Sequence, residues 1–189
     1  IIQIMNQDIT KKQSLEGWKQ TTRKIGKGTG KKAAKYKREA RILMAHCQTA
    51  VPAWIMPINK ALETLNPREN KFDVVIIDEA SQSDISALAI FYFAKKVIVV
   101  GDDEQVSPSG IGLTDVQVQN LMNTYIKGEI PNSHLYDLKT SLYDISKTTF
   151  QPLMLKEHFR CVPEIIGYSN QLSYNHKIKP LRDDSNVKV

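Results

Sequence analysis

Two carboxylates that directly follow an apolar run are the sequence feature that most constrains the fold. The run covers residues 72–77, and Asp78 and Glu79 come directly after it. A short, continuous apolar run is typical of a parallel strand that is covered on both faces. Because ligands bind beyond the carboxyl ends of parallel strands in open α/β sheets, we expect both carboxylates to lie at a binding crevice.

A second apolar run, residues 96–100, is followed by another polar cluster that contains Asp102 and Gln105. The residues between the two runs, 84–94, fit a crossover helix with Asp84 as its N-cap. A strand, a helix and a second strand in this order predict a right-handed βαβ unit. Such a unit would bring both polar clusters to one edge of a parallel sheet, so the sequence predicts an α/β fold.

Other helices and apolar segments can be predicted from local patterns. Residues 33–47 read as a helix with basic residues on one side, and residues 60–65 as a short helix. Residues 51–58, bounded by prolines, read as a buried apolar segment whose Trp54 and Met56 are expected in the core. Pro163 is expected to open a helix that runs towards Tyr174, because the missing N–H of proline costs nothing in the first turn. Residues 106–150 read as loop and polar helices.

The acid pair after the first run suits nucleotide chemistry. An Asp at a strand end can hold Mg²⁺ directly or through water, and an adjacent Glu can orient and deprotonate an attacking water. We therefore interpret Asp78 as the metal-binding residue and Glu79 as the catalytic residue. The alternative is that both carboxylates only cap the next helix.

The chain resembles the RecA-like motor of superfamily 1 helicases in three blocks that occur in the family's order. Residues 78–82 read Asp-Glu-Ala-Ser-Gln, as in motif II of the AAA-type helicase branch, and residues 101–105 have the Gly-Asp-x-x-Gln pattern of motif III. Residues 155–170 resemble motif IV, in which an aromatic-Arg pair precedes a helix. The resemblance extends over residues 42–182. It implies a partial RecA-like P-loop NTPase fold, with a parallel sheet and flanking helices.

The resemblance also implies a cofactor and a role for individual residues. It implies that ATP and Mg²⁺ bind at Asp78, that Glu79 activates water, and that Gln105 senses the γ-phosphate. Arg160 would reach the γ-phosphate across the cleft between two lobes, and Phe159, where the family usually has Tyr, would stack on adenine. The alternatives are that Gln105 is an ordinary loop amide and that Arg160 forms a surface salt bridge.

The phosphate loop of such motors, G-x-x-x-x-G-K-[ST], has no match in the sequence. The nearest candidate is residues 26–32. Ile25 stands where the first Gly of the pattern should be, and Lys32 stands in place of Ser or Thr. We therefore interpret residues 26–32 as a basic loop.

The sequence suggests a fragment of a longer motor protein. Residues 1–45 are expected to form a basic helical and loop segment inserted in or flanking the first lobe. Residues 46–150 would form part of lobe 1 with motifs II and III, and residues 151–189 the start of lobe 2 with motif IV. The remaining motor segments would lie elsewhere in the full-length protein, and the fragment alone is expected to be inactive.

Charge is distributed unevenly along the chain. Twelve basic and two acidic residues lie between Thr10 and Arg41, and the rest of the chain, with 14 basic and 18 acidic residues, is mildly acidic. A basic stripe of this density with Trp18 and Tyr36 between its charges suits contact with the phosphates of DNA or RNA. The alternative is a solvated, partly disordered segment. The candidate nucleic-acid-binding residues are Lys31, Lys32, Lys35, Lys37, Arg38 and Arg41.

Several function classes are disfavoured by the sequence. The two cysteines and four histidines show no metal-ligand spacing, and no apolar run approaches the length that spans a membrane. We expect an intracellular, cytoplasmic protein with no membrane partner. The predicted function is that of a fragment of an ATP-dependent superfamily 1 helicase or translocase. The alternatives are a non-enzymatic nucleic-acid-binding or scaffold module that retains the motor fold, and an ATP-gated switch that does not unwind duplexes.

Overall fold

Two helices at the start of the fold pack against each other. The structure, a computed structural model, describes residues 9–105, 115–137 and 139–182 of the chain. Helix α1 (Ile9–Ile25) and helix α2 (Ala33–Cys47) are joined by a short loop. The predicted bounds of α2 are confirmed, as is the loop at residues 26–32. Together α1 and α2 form what we call the helical pair.

Helix α1 is held to the rest of the fold through one apolar face. Leu15 and Trp18, three residues apart, pack against the hydrophobic core, and Ile25 is buried at the end of the helix. The ring of Trp18 meets that of Trp54 edge to face, with the ring centroids 5.1 Å apart. The alternative of a disordered basic segment is therefore wrong for the part of the stripe that α1 and α2 contain.

A two-stranded parallel sheet forms the βαβ unit that the sequence predicts. Strand β1 (Phe72–Ile77) pairs in parallel with β2 (Ala94–Val99), so that Ile77 lies opposite Val99. The first strand has the predicted bounds, and the second begins two residues before the apolar run. The connection is a 3₁₀-helix at residues 85–93, which is tighter than the α-helix that the pattern suggested.

The N-cap predicted for this connection is confirmed. The carboxylate Oδ1 of Asp84 accepts a hydrogen bond from the backbone N of Ser86 at 2.8 Å. This bond satisfies one of the donors that the first turn of a helix leaves free.

The prediction that both strands are covered on both faces is wrong for the described part of the chain. Ile77 is 3% exposed and Val75 packs against the core, whereas Val74, Ile76 and Ile98 are 47%, 64% and 50% exposed. Successive side chains of a strand point to opposite faces. One face of the sheet therefore packs on the hydrophobic core, and the other exposes apolar side chains.

The core lies between α2, the sheet and two further helices. It contains Met44 and Cys47 of α2 and also Phe93 and Leu142. Helix α3 (Ile58–Thr64) contributes to one side of it, close to the helix predicted at residues 60–65. Helix α5 (Leu142–Lys147) closes the other side.

The prediction of a buried segment at residues 51–58 is only partly correct. The backbone there has no regular structure before α3, and Ile55 is fully exposed, at 100%. Trp54 and Met56 are half-buried and pack against the core, as expected. The Trp54 indole donates to the carbonyl oxygen of Gln48 at 2.9 Å, which gives its polar atom a partner.

The last part of the described chain is a small unit of its own. Strand β3 (Glu157–His158) pairs in parallel with β4 (Lys179–Pro180), and helix α6 (Pro163–Leu172) lies between them in sequence. The helix that Pro163 was predicted to open is confirmed. Helix α4 (Asp115–Tyr125) precedes this unit, and residues 106–114 and 138 of the segment predicted as loop and polar helices lie outside the described residues.

The mixed fold with short parallel sheets agrees with the α/β prediction. Among the described residues, no helix has both the length and the apolar character that crossing a bilayer requires.

Candidate functional site

The loops that follow β1 and β2 lie side by side. The backbone N of Val100 donates to the carbonyl oxygen of Ile77 at 2.8 Å, and the N of Ala80 donates to the carbonyl oxygen of Val100 at 2.8 Å. These bonds continue the pairing beyond the strands. Residues 78–82 and 101–105 therefore meet at the carboxyl edge of the sheet, as predicted.

Asp78 and Glu79 are both exposed at this edge. The backbone N of Glu79 donates to Oδ1 of Asp78 at 3.0 Å, and no hydrogen bond to Oδ2 of Asp78 is found among the described residues. Glu79 has φ 54° and ψ 39°, in the left-handed region that side chains with a Cβ avoid. A conformation of this kind costs on the order of 1–2 kcal/mol and marks a candidate functional position.

Gln82 joins the two loops through its side chain. Its Nε2 lies 3.4 Å from Oε2 of Glu79 and 3.4 Å from Oε1 of Gln105. An amide nitrogen has two protons and can donate to both, although bonds of this length are weak. Gln82 was not among the predicted site residues, although it is the last residue of the Asp-Glu-Ala-Ser-Gln block.

Gly101 of the second loop lies close to side chains of the first loop and of α5. A Cβ at this position would lie 2.7 Å from Oγ of Ser81 and 2.7 Å from Cδ2 of Tyr143. The buried Ser81 hydroxyl accepts a hydrogen bond from the backbone N of Asp102 at 2.6 Å. Glycine suits this position because any side chain would collide with Ser81 of the first loop and Tyr143 of α5.

Two of the three acidic residues of the second loop, Asp102 and Asp103, have side-chain partners. Oδ2 of Asp102 accepts a hydrogen bond from the Tyr174 hydroxyl at 2.5 Å. Asp103 forms a salt bridge with Lys147 at 3.0 Å, and Lys147 also contacts Asp144 at 3.0 Å. The hydrogen bond from Lys147 holds the pKa of the Asp103 carboxyl below its usual value.

The first loop, in contrast, offers carboxylates without a cationic partner. Within the described ranges, neither Asp78 nor Glu79 forms an ion pair with Lys, Arg or His. No cluster of three or more His, Cys, Asp or Glu side chains that could hold a metal is found in this part of the chain. Mg²⁺ in nucleotide sites keeps several waters and binds one or two carboxylates together with substrate phosphates. A pair of exposed acids fits this kind of ion.

Phe159 and Arg160 lie on the surface of the unit that contains α6. The backbone around them is fixed, since Nε2 of His158 accepts from the backbone N of Cys161 at 3.0 Å and the guanidinium of Arg182 donates to the carbonyl oxygen of Arg160. Phe159 is 65% exposed. No hydrogen bond or ion pair of the Arg160 side chain is found among the described residues, so the structure does not bring it into contact with Glu79.

The six predicted nucleic-acid-binding residues fall into two groups. Lys37 forms a salt bridge with Glu63 at 2.9 Å, and Arg41 donates to the backbone of α3, with 3.0 Å from its Nε to the carbonyl oxygen of Glu63. The hydrogen bond from Lys37 lowers the pKa of Glu63. These two basic side chains therefore hold α3 against α2. The other four are exposed and make no salt bridge within the described ranges: Lys31, Lys32, Lys35 and Arg38.

Comparison with known families identifies a domain family for more than half of the chain. A family model described as an AAA domain matches residues 3–111. The match includes the helical pair, the parallel strands and both loops at the carboxyl edge, and it ends before the block around Arg160. No curated protein matches the chain. The fold is consistent with a partial RecA-like α/β architecture. Because the match covers more than half of the sequence, the chain belongs to this AAA domain family, which occurs in superfamily 1 helicase-like proteins.

Proposed function

We propose that the chain is part of an ATP-driven motor of the superfamily 1 type, which couples hydrolysis of Mg²⁺-ATP to movement along a nucleic-acid strand. One observation supports this most directly. Glu79 and Gln105 meet through Gln82 at the carboxyl edge of a parallel sheet, beside the exposed carboxylate of Asp78. An acid, an amide and a metal-binding carboxylate at one edge suit hydrolysis of a phosphoanhydride.

In this proposal the two acids have different roles. Asp78 would hold the ion through its Oδ2, and bound Mg²⁺ would neutralise negative charge on the phosphates. Glu79 would take the proton of the attacking water, with Gln82 orienting its carboxylate. Gln105 lies beside the same Gln82 amide. It would sense the γ-phosphate and transmit its presence to the rest of the second loop. Arg160 would stabilise the developing charge after a movement of its segment towards the sheet.

The two acids can be tested separately in the longest reading frame that contains this chain. We expect Glu79→Gln to bind ATP but to lose turnover, because an amide keeps the shape but cannot accept the proton. Asp78→Asn should instead raise the Kd for Mg²⁺-ATP, because it removes charge from the metal shell. Glu129→Gln, in an exposed turn, is the matched control.

The outcomes separate the candidate functions. Turnover equal to that of the unaltered protein in Glu79→Gln would remove Glu79 from catalysis. If the unaltered protein binds a strand but does not hydrolyse ATP, the non-enzymatic binding module replaces our proposal. Hydrolysis and strand movement without separation of a duplex would identify a translocase.

The nucleic-acid partner is proposed from the exposed part of the basic stripe. Lys35 and Arg38 are three residues apart, so they share one side of the first turns of α2, and Lys31 lies in the turn directly before the helix. None of them is used in a salt bridge within the described part of the chain, unlike Lys37. This face therefore offers positive charge for backbone phosphates, without any element that would read bases.

A double charge reversal tests this surface. We expect Lys35→Glu with Arg38→Glu to weaken binding of single strands of every sequence by a similar factor. The slope of log affinity against log salt should become less steep by about 1.4, since each lost phosphate contact contributes about 0.7 for single strands. The matched control is Lys96→Glu with Lys127→Glu, which changes the net charge equally at exposed positions elsewhere. Equal effects of both pairs would mean that the helical pair is not the binding surface.

A further inference from the structure

A side-chain hydrogen bond links the loop of Gln105 to the segment that carries Arg160. The Tyr174 hydroxyl donates to Oδ2 of Asp102 at 2.5 Å, across 72 residues of sequence. This distance is typical of a hydrogen bond from a hydroxyl to an ionised carboxylate, which is about twice as strong as a bond between neutral groups. The two ends of the bond belong to different units of the fold.

Tyr174 is held in place by a rigid turn after α6. The side chain of the buried Asn170 makes two hydrogen bonds with the backbone of Ile178, both at 2.9 Å. The backbone carbonyl oxygen of Asn170 accepts from the backbone N of His176 at 3.0 Å. Asn175 and His176 both have positive φ, at 50° and 57°. The position of the phenol therefore follows the position of α6.

Asp102 is equally fixed at its end of the bond. Its backbone N donates to Ser81, its Oδ1 accepts from the backbone N of Glu104 at 3.1 Å, and its carbonyl oxygen accepts from the backbone N of Gln105 at 3.3 Å. Both carboxylate oxygens are thus occupied, one by the loop itself and one by Tyr174. Any rotation of this carboxylate would alter the turn that carries Gln105.

We propose that Tyr174 is a positioning residue that holds Asp102 and so fixes the loop of residues 101–105 relative to the segment of Arg160. The link follows from contacts alone; its consequence for catalysis rests on the proposed function. Movement of α6 towards or away from the sheet would stretch this bond and shift Gln105. Tyr174 would therefore transmit the position of the Arg160 segment to the edge of the sheet.

The Tyr174 hydroxyl keeps its proton, and so remains a hydrogen-bond donor, into the alkaline pH range. The hydrogen bond to Asp102 is the main cause that raises the pKa of Tyr174 to about 12, so the hydroxyl keeps its proton at neutral pH. Both partners are only partly buried, so water can replace the lost bond when one is changed. Tyr174→Phe is therefore expected to fold and to lose only the local link.

Hydrogen exchange in the longest reading frame that contains this chain tests the link. We expect Tyr174→Phe to raise the exchange rates of the backbone amides of residues 101–105 about tenfold, the factor that corresponds to a bond of about 1.4 kcal/mol. Asp102→Asn should have a similar effect, and the double variant should add little to either. Tyr168→Phe, with an exposed hydroxyl on α6, is the matched control, and the amides of α2 serve as the internal reference.

Measurement of kcat and KM for ATP on the same variants shows whether Tyr174 positions the loop for catalysis or only contributes to packing. We expect Tyr174→Phe to lower kcat about tenfold while KM for ATP changes little, because Asp78 and its metal site are untouched. Unchanged exchange at residues 101–105 would overturn the inference, and so would faster exchange with an unchanged kcat. If the unaltered protein has no ATP turnover, the proposed function fails, and the exchange measurement still decides whether the link exists.

Discussion

At the scale of single residues, Glu79 combines the proposed catalytic carboxylate with a backbone conformation that most side chains avoid. Its φ of 54° and ψ of 39° suit glycine, which lacks the Cβ that creates the cost. We expect Glu79→Gly to be about 1 kcal/mol more stable than Glu79→Ala in urea denaturation of the chain. At an ordinary exposed site the order is the reverse, because glycine has more freedom in the unfolded state. An alanine variant as stable as the glycine variant would argue against the left-handed conformation.

Gly101 allows the two loops of the site to approach each other. Its replacement by Ala would put a Cβ 2.7 Å from both Ser81 Oγ and Tyr143 Cδ2. We expect Gly101→Ala to lower the free energy of unfolding by about 1–3 kcal/mol, the usual cost of overpacking. Gly30→Ala is the control, because a Cβ there meets nothing within 4 Å and Gly30 has no positive φ. Equal stability of both variants would contradict the close approach of the loops.

Tyr174 gives the molecule a pH-dependent contact in the alkaline range. Its folded pKa of about 12 lies above the value of about 10 for an unfolded tyrosine, so the protonated form is stabilised by folding. The contribution of the bond to stability is full below pH of about 10 and is lost as the pH rises towards 12. Absorbance titration of the phenolates should show one late-titrating tyrosine that is missing in Tyr174→Phe. An identical titration curve for both proteins would contradict the bond to Asp102.

At the scale of elements, local sequence patterns predicted the helices and strands whose bounds depend on neighbouring residues. The bounds of α2 and β1 and the opening of α6 at Pro163 follow from periodicity, apolar runs and cap chemistry, which act over a few residues. The bounds of helix α1 were not predicted within the basic helical and loop segment, because its many charges hide a short apolar face, although Leu15 and Trp18 stand at helical spacing.

The parts of the site that the sequence did not predict depend on distant contacts. The sequence allows a prediction for Asp78, Glu79 and Gln105, because the two motifs that contain them come after predicted strands. The bond from Tyr174 to Asp102 joins residues 72 positions apart, and no local pattern pairs them. Lys37 was assigned to nucleic acid because its charge is visible in the sequence, while its partner Glu63 is identified only by the packing of α3 on α2.

Neighbouring isoleucines of β1 test which face of the sheet packs on the core. Ile77 is 3% exposed and Ile76 is 64% exposed. We expect Ile77→Ala to lower the free energy of unfolding by about 2–5 kcal/mol, and Ile76→Ala by less than about 1 kcal/mol. Denaturation by urea measures both changes. Similar losses in the two variants would mean that the second face of the sheet is also covered, as the sequence alone suggested.

The two cysteines should report the packing of α2 through their reactivity. Cys47 is fully buried beside Met44, and burial raises the pKa of its thiol to about 11, whereas Cys161 is partly exposed. Since the thiolate is the reactive form, we expect a thiol reagent at neutral pH to label one cysteine rapidly, and Cys161→Ser to remove that signal. Cys47 should react only after addition of denaturant. Rapid labelling of Cys47 in the folded chain would contradict the packing of α2.

At the scale of the whole molecule, three regions surround the candidate site, and each is held in place by its own contacts. The helical pair and α3 hold the core on one side, the loops after β1 and β2 form the carboxyl edge, and the α6 unit reaches that edge through Tyr174. The candidate binding residues follow the same division, since Lys35 and Arg38 are exposed on the helical pair and Asp78 and Glu79 are exposed at the sheet edge. Binding of a strand and binding of Mg²⁺-ATP would therefore use different surfaces, and loop contacts would have to connect them.

The 189-residue chain itself is expected not to hydrolyse ATP at an enzymatic rate. A phosphate loop joins a strand to the N-terminus of a helix, where backbone N–H groups and the helix dipole hold the anion. The glycine-rich residues 26–32 instead join α1 to α2. We therefore expect no Mg²⁺-dependent phosphate release above background from the purified chain. Turnover on the order of 1 s⁻¹ or more would contradict this expectation. Loss of that turnover in Lys31→Ala would then assign phosphate binding to the loop between the helices after all.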